Sequence, residues 1–249
     1  MHSRISLGAR FSRSTLPYGL GYRKPNHGLL ASGQGGFCYW PVGTSKIRDY
    51  KIMYEDDALL VVEKPSGMLT VATPKKEQHT LSALVKAYPA HRLDRETSGL
   101  IIFAKTKKIQ QIVMDEFRKR KVTKHYLAFA QGKVMPKTGI IDRKVRDTLY
   151  APEKPALTKY KVVEYRNGFS VVEVMPVTGR TNQIRIHFTQ IGHPLVGERR
   201  FAFAKDFAIK FRRVALHASD LEFSHPLSGR VVSFHSDLPP DMQDFLNSH

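Results

Sequence analysis

From Tyr50 onward the chain falls into short apolar runs broken by turn residues, the pattern of a sheet-rich domain. Lys51 to Tyr54 and Leu59 to Lys64 read as strands on either side of the turn Glu55-Asp56-Asp57, and Thr80 to Tyr88 as a short helix. The β-branched and aromatic run Leu100-Ile101-Ile102-Phe103-Ala104 has the composition of a buried strand. Lys107 to Arg120 predicts an amphipathic helix, with Ile109, Ile112, Val113 and Phe117 on one face and a cationic end that suits the helix dipole. Val122 to Ala130, Lys159 to Tyr165 and Phe169 to Val174 predict strands, while 139–157 lack a clear period and are assigned to a hairpin and loop. Thr181 to Ile191 predicts a helix, Val214 to Phe223 and Val231 to Phe234 strands, and Pro239 the start of a last short helix. Many strands and few helices without strict alternation indicate an α+β class, built on a mixed, largely antiparallel sheet with flanking helices.

The opening segment breaks this pattern. Its first 48 residues hold seven Lys or Arg and no Asp or Glu, and are rich in Gly, Ser and Pro. Without periodicity or enough apolar content for a core, residues 1–48 are expected to be a mobile basic arm ahead of a globular domain over 49–249. Such an arm suits RNA phosphates, but it also has the Arg/Ser-rich, acid-poor character of an organelle transit peptide. An upstream extension from a misassigned start codon is a third reading. No secretory h-region is seen.

Charge narrows the partners. Forty Lys plus Arg against 22 Asp plus Glu give a formal +18, which favours a polyanion: nucleic acid first, an anionic membrane surface second. No apolar stretch approaches the roughly 20 residues of a membrane span, so no membrane partner is expected. The single cysteine, Cys38, excludes an intramolecular disulfide and a cysteine metal cage, and fits a reducing compartment. The cytoplasm is therefore expected, or an organelle if the arm is a transit peptide. Eleven histidines show neither HxxxH nor HExxH spacing, so no metal site is expected. No oligomerisation stripe is visible, and a monomer is expected.

The most informative stretch is His91-Arg92-Leu93-Asp94-Arg95-Glu96-Thr97-Ser98-Gly99. It sets one carboxylate, Asp94, between two arginines at a loop that leads into the Leu100 strand, a placement typical of catalytic side chains. A carboxylate flanked by guanidinium groups stays ionised and oriented, which suits a nucleophile or base better than an acid. A surface ion pair is the competing reading.

The stretch resembles the active-site segment of the RluA-type RNA pseudouridine synthases, HRLD-x-x-TSG. Other segments match that family in order: Glu63-Lys64-Pro65-Ser66-Gly67, Lys124-His125-Tyr126-Leu127-Ala128, Gly179-Arg180-Thr181-Asn182-Gln183-Ile184-Arg185-Ile186-His187, Gly192-His193-Pro194-Leu195-Val196-Gly197, Leu216-His217-Ala218 and His225-Pro226. The resemblance spans about 50–240. It implies a catalytic domain over 49–249 whose sheet carries a central RNA-binding cleft, and isomerisation of uridine to pseudouridine in ribosomal or transfer RNA without a cofactor. It also implies that Asp94 is the catalytic aspartate, that Arg185 clamps it by a bidentate contact and lowers its pKa, and that Tyr126 stacks on the flipped base. Leu216 is expected in the apolar wall beneath the base, with Ala215 and His217 nearby. His91 and Arg92 would fill the vacated position or grip the displaced strand, unless they are structural. Arg95 and Arg180 are expected to be phosphate or framework residues. Arg118, Lys119, Arg120, Lys121 and Lys124 are expected to contact phosphates, joined by Arg199, Arg200, Lys205, Lys210, Arg212 and Arg213.

Two departures stand out. Asn182 replaces the histidine of G-R-T-H-Q, and Glu198-Arg199-Arg200 replaces the G-D-x-x-Y style. Two other functions compete. A non-catalytic RNA-binding protein would share the charge without needing Asp94, Tyr126 and Arg185. An RNA N-glycosylase would need a second acid, and Glu96 would share a face with Asp94 on an extended segment. A metal-dependent nuclease would need clustered carboxylates.

Overall fold

The computed structural model describes residues 50–75, 77–148, 150–202 and 209–249; the expected basic arm and Lys205 lie outside them. Among the described residues ten strands form one sheet: β1 (Lys51–Glu55), β2 (Leu59–Lys64), β3 (Tyr88–Pro89), β4 (Ser98–Ala104), β5 (Thr123–Gln131), β6 (Thr138–Asp142), β7 (Leu157–Arg166), β8 (Phe169–Pro176), β9 (Leu216–Ser224) and β10 (Val231–His235). The main path runs β1-β2-β4-β9-β5-β8-β7-β6, with β10 beside β9 and β3 beside β4. All pairings are antiparallel except β4 with β9, where Ser98 faces His217 and Gly99 faces Ala218. Four helices accompany them: α1 (Leu81–Val85), α2 (Lys107–Arg118), α3 (Gln183–Gln190) and α4 (Pro240–Ser248). This is the α+β class expected from the pattern.

The alternation of β4 explains why its apolar run is unbroken. Leu100, Ile102 and Ala104 enter one core cluster with Ile109 and Val113 of α2, while Ile101 and Phe103 enter another with Leu81 of α1. A strand covered on both faces needs apolar residues at every position. The β5, β8, β7 half likewise has two clusters, one reaching Phe188 of α3 and the other Phe245 of α4.

Several boundaries differ from the sequence expectation, each for a local reason. α1 stops at Val85 because Lys86 is left-handed (φ 52°), and Tyr88–Pro89 then pairs with β4 as an extended pair. α2 ends at Arg118, two residues early, and Arg120 turns to φ 59°. Ile112 is 37% exposed, because the buried stripe of α2 follows the four-residue spacing of Ile109, Val113 and Phe117. α3 starts at Gln183, since Asn182 is also left-handed (φ 54°), a conformation that Asn tolerates better than most residues. Within the aperiodic stretch, β6 pairs with β7, and a bridge between Val145 and Lys154 closes the segment that follows.

Candidate active site

Asp94 ends an irregular segment ahead of β4, and its carbonyl accepts from the Thr97 N–H at 3.2 Å, closing the turn through Arg95 and Glu96. That turn is tied down from β2. The fully buried Lys64 ammonium donates to the carbonyls of Pro65 (2.8 Å), Met68 (2.8 Å) and Arg95 (3.2 Å). Ser66 Oγ donates to the Glu96 carbonyl at 2.7 Å, and Gly67 N–H to the Arg95 carbonyl at 2.8 Å. Burial pulls the Lys64 pKa down to about 7, with Asp94 opposing; the three carbonyls favour the proton, since only an ammonium serves all three together. From the other side Arg213, bidentate on Asp241 of α4 at 2.7 and 2.9 Å, donates to the Glu96 carbonyl at 3.4 Å. Gly99 (φ 114°) is required behind the turn, because a Cβ there would collide with the Ala218 backbone.

The expected bidentate clamp of Asp94 by Arg185 is not formed. Arg185 gives its fork to Glu198 instead, Nε to Oε2 at 2.7 Å and Nη2 to Oε1 at 2.8 Å. It also donates to Asn182 Oδ1 at 3.1 Å, lies 3.4 Å from Glu96 Oε2, and stacks over Phe201 at 5.3 Å. Glu198 is itself buried and accepts the backbone N–H groups of Arg199, Arg200 and Phe201 at 3.0, 2.8 and 3.2 Å. So the departure at Glu198 supplies the partner of Arg185, and the departure at Asn182 supplies a left-handed helix start and a further acceptor. Glu96 does not sit beside Asp94 on an extended segment either; it lies in the turn and is drawn to Arg185.

No described group forms an ion pair or hydrogen bond with the carboxylate of Asp94, a half-buried residue. Its pKa is raised, not lowered as the resemblance implied: burial outweighs the charges of Arg185, Arg92, Lys64 and Arg200. The standoff from Arg185 is the reason. A guanidinium neutralised by Glu198 holds Asp94 less firmly than one in direct contact. Arg185 keeps its own proton despite burial because Glu198, Asp94 and Glu96 outweigh that penalty.

A cavity of about 500 Å³ opens over these groups and is lined by Asp94, Tyr126, Arg185 and Leu216 together. Tyr126 sits on β5 where the pairing with β9 slips, His125 facing Asp220 and Tyr126 facing Ala218. Such bulges re-aim side chains and favour active sites. Burial, then Asp94, push the Tyr126 phenol above its usual range, so it stays protonated near neutrality. Leu216 forms a buried wall, while Ala215 belongs to the opposite core and His217 is buried between Ser98 Oγ (3.0 Å) and the Ser236 carbonyl (3.1 Å).

The other expected residues separate by environment. His91 lines the cavity but belongs to the framework: its Nε2 accepts the Ile102 N–H at 3.1 Å, its ring packs on Phe117 at 4.7 Å, and burial with nearby Lys124 pushes its pKa down to about 3. Arg92, Arg118, Arg120, Lys124 and Arg180 also line the cavity. Arg118 is paired with Asp115, and Lys124 lies over the Phe117 ring at 5.7 Å with its pKa lowered by burial. Arg95, Lys119 and Lys121 are not part of the lining; Arg95 faces Glu77 at 3.7 Å and Lys121 faces Glu116 at 4.0 Å. Arg213 is buried on Asp241 rather than placed for phosphate, and Arg212 shares Asp241 at 3.2 Å. Sequence reasoning missed Glu198, Lys64 and Arg213 as organising residues; the signal for Lys64 was its place in a matching segment to which no role had been given. Among the described residues no group of three His, Cys, Asp or Glu has metal-holding geometry, and no helix is long and apolar enough to cross a membrane.

Comparison with known proteins places this geometry. Residues 58–190 match the family model described as RNA pseudouridylate synthase. The chain is 34% identical over 227 residues to ribosomal large subunit pseudouridine synthase D of Haemophilus influenzae, covering 79% of this chain and 70% of that protein. It is 36% identical over 200 residues to the dual-specificity RNA pseudouridine synthase RluA of Escherichia coli K12, covering 74% and 90%. Among solved structures, human RNA pseudouridylate synthase domain containing 1 aligns with TM-score 0.65 at 25% identity over 79% of this chain and 86% of that one. Human RNA pseudouridylate synthase domain containing 4 shares the fold, with TM-score 0.67 at 22% identity over 79% and 92%.

Proposed function

The chain belongs to the RNA pseudouridylate synthase family, in its RluA-type branch, and from that membership we propose that Asp94, Tyr126 and Arg185 form the centre at which it isomerises uridine in structured RNA to pseudouridine. The observation that carries the assignment of residues is their convergence, with Leu216, on one cavity. In the reaction the bond from uracil nitrogen 1 to the ribose breaks, the base turns, carbon 5 takes the ribose, and the carbon 5 proton leaves while nitrogen 1 gains one. Atoms and electrons balance within the nucleotide, so no redox group or cosubstrate is required. Asp94 acts as an ionised oxygen, whether on the sugar, on the base or on a ribose proton, and its place in the cavity lining fits each version. Arg185 provides a fixed positive charge beside it. The Tyr126 ring stacks on the extruded uracil, an interaction of about 1–3 kcal/mol per base, which offsets much of the few kcal/mol of unstacking.

Release of label from carbon 5 of uridine tests this. Asp94→Asn is expected to lose turnover and keep RNA affinity; turnover above background refutes the role given to Asp94. Ribosomal RNA, transfer RNA or both are the proposed substrates, and pseudouridine mapping in cells lacking the protein identifies the site. An N-glycosylase would release free uracil, and it lacks a free second carboxylate here, since Glu96 is drawn to Arg185. A monomer is proposed because the sequence shows no oligomerisation stripe, and the cytoplasm, or an organelle if residues 1–48 are a transit peptide, because a single cysteine suits a reducing compartment.

A further inference from the structure

Some cations among the described residues are held by carboxylates and others by main-chain carbonyls, a distinction that sequence alone cannot make. Arg146 faces Glu153 at 3.5 Å, Arg166 faces Glu164 at 2.9 Å and Lys105 faces Glu55 at 2.9 Å, so a carboxylate offsets each charge. Arg143, Arg180 and Arg200 are held differently, as is Arg199 on the Phe211 carbonyl at 3.4 Å. Each is exposed, each is anchored by one N–H on a main-chain carbonyl, and none has a carboxylate within ion-pair distance among the described residues. Arg143 Nη1 donates to the Gln190 carbonyl at 2.6 Å, Arg180 Nε to that of Pro155 at 3.2 Å, and Arg200 Nη2 to that of Asp147 at 2.6 Å. A carbonyl orients a guanidinium without cancelling its charge, and it leaves the other N–H donors of the fork available.

Two of these anchors, the Pro155 and Asp147 carbonyls, lie in the segment after β6 that the Val145–Lys154 bridge closes, and Arg143 belongs to that segment and ties it to Gln190 of α3. That segment packs on α3 through Val145, Ala156 and Ile186, and His187 Nε2 donates to the Arg143 carbonyl at 3.0 Å. Arg180 lines the Asp94 cavity, and Arg200 stacks at 5.1 Å on the same Phe201 ring that carries Arg185. The set therefore starts at the cavity rim and leads away across this segment.

Resting on the reading that the cavity receives a uridine of RNA, we propose that Arg180, Arg200 and Arg143 form a preset track for the phosphodiester backbone flanking the target nucleotide. A planar fork matches a phosphate, and an arginine already oriented loses less freedom when it binds one. A cation paired with a carboxylate must give up that partner first. The continuity with the cavity favours RNA over an acidic protein.

The test compares two charge-matched triple variants of the full chain, R143Q/R180Q/R200Q and K105Q/R146Q/R166Q. Binding to unmodified transfer RNA and large-subunit ribosomal RNA transcripts is measured across a salt series. The track triple is expected to flatten the slope of log affinity against log salt by about 2–3, at roughly 0.7–0.9 per phosphate contact, while the control triple leaves it unchanged. Lysine at the three track positions should restore the slope. If the glutamine triple fails to fold, single variants should each lower the slope by about 0.7–0.9. Equal flattening by both triples, or an unchanged slope in the track triple, overturns the proposal; the latter would point to an acidic protein partner. Uridine conversion by the unaltered chain, and its loss in Asp94→Asn, checks the underlying reading separately, because the slopes do not depend on turnover.

Discussion

Glu198→Gln is the most demanding substitution for the site described above. The amide keeps the shape of the carboxylate, and its oxygen can still accept from the N–H groups of Arg199, Arg200 and Phe201. Its NH2 must then face the Nε–H of Arg185, donor against donor, where Oε2 now accepts at 2.7 Å. The guanidinium keeps its Nη2 bond to that oxygen at 2.8 Å, with Asn182 at 3.1 Å and Glu96 at 3.4 Å, but loses its charged partner and its Nε acceptor. Removing one partner of a buried pair typically costs about 3–5 kcal/mol, and the remaining contacts bring the expected loss to about 3 kcal/mol. For a domain of this size that lowers Tm by roughly 6–12 °C, measurable by thermal melts monitored by circular dichroism. The pH–rate profile provides a second readout. Asp94 must be ionised to act, and its raised pKa in the free protein moves the acid limb of kcat/KM to higher pH than an unperturbed aspartate would give, with activity lost as pH falls through it. With Glu198 neutral, the uncompensated charge of Arg185 stabilises ionised Asp94, so the limb moves to lower pH. Turnover on the plateau should drop on the order of 100-fold if the guanidinium shifts by about 1 Å. A Tm within about 2 °C of the unaltered chain, with the acid limb in place, would refute the claim that Glu198 holds Arg185.

Three further outcomes follow from the same geometry. Lys64→Met should lower Tm by at least roughly 4 °C, because the Pro65 and Met68 carbonyls lose their donor at about 1–3 kcal/mol for each buried acceptor left unmet, while Arg95 keeps the Gly67 N–H; a melt like that of the unaltered chain would show that the tie to the Asp94 turn is dispensable. Gly99→Ala should cost more than about 3 kcal/mol, since a Cβ at φ 114° meets the Ala218 backbone, and soluble protein of unaltered Tm would contradict the close β4–β9 approach. Tyr126→Phe should keep RNA affinity within about threefold, as the stacking surface remains, while label release slows if the hydroxyl moves a proton; a loss of affinity of tenfold or more would overturn the stacking role.

The sequence revealed most of the elements because period and composition report burial directly. The unbroken apolar run of β4 and the four-residue stripe of α2 are local consequences of facing a core. It was less informative at ends such as Lys86, Arg120 and Asn182, where a left-handed residue stops or starts a helix and no period exists to be counted. Asp94, Tyr126 and Arg185 were legible through motifs, and they do line one cavity, yet the bond drawn between two of them was misplaced.

The chain order by itself determined the sheet-rich class, the basic character and the residue types available for chemistry, because each depends on neighbours within a few positions. Only the tertiary structure decided which charges meet. Arg185 takes Glu198, 13 residues away, in preference to Asp94, and Lys64 reaches the Arg95 carbonyl across 31 residues. Such partners are chosen by which loops the folded sheet brings within about 3 Å, and electrostatic contact falls off too steeply with distance and solvent for spacing along the chain to foretell it.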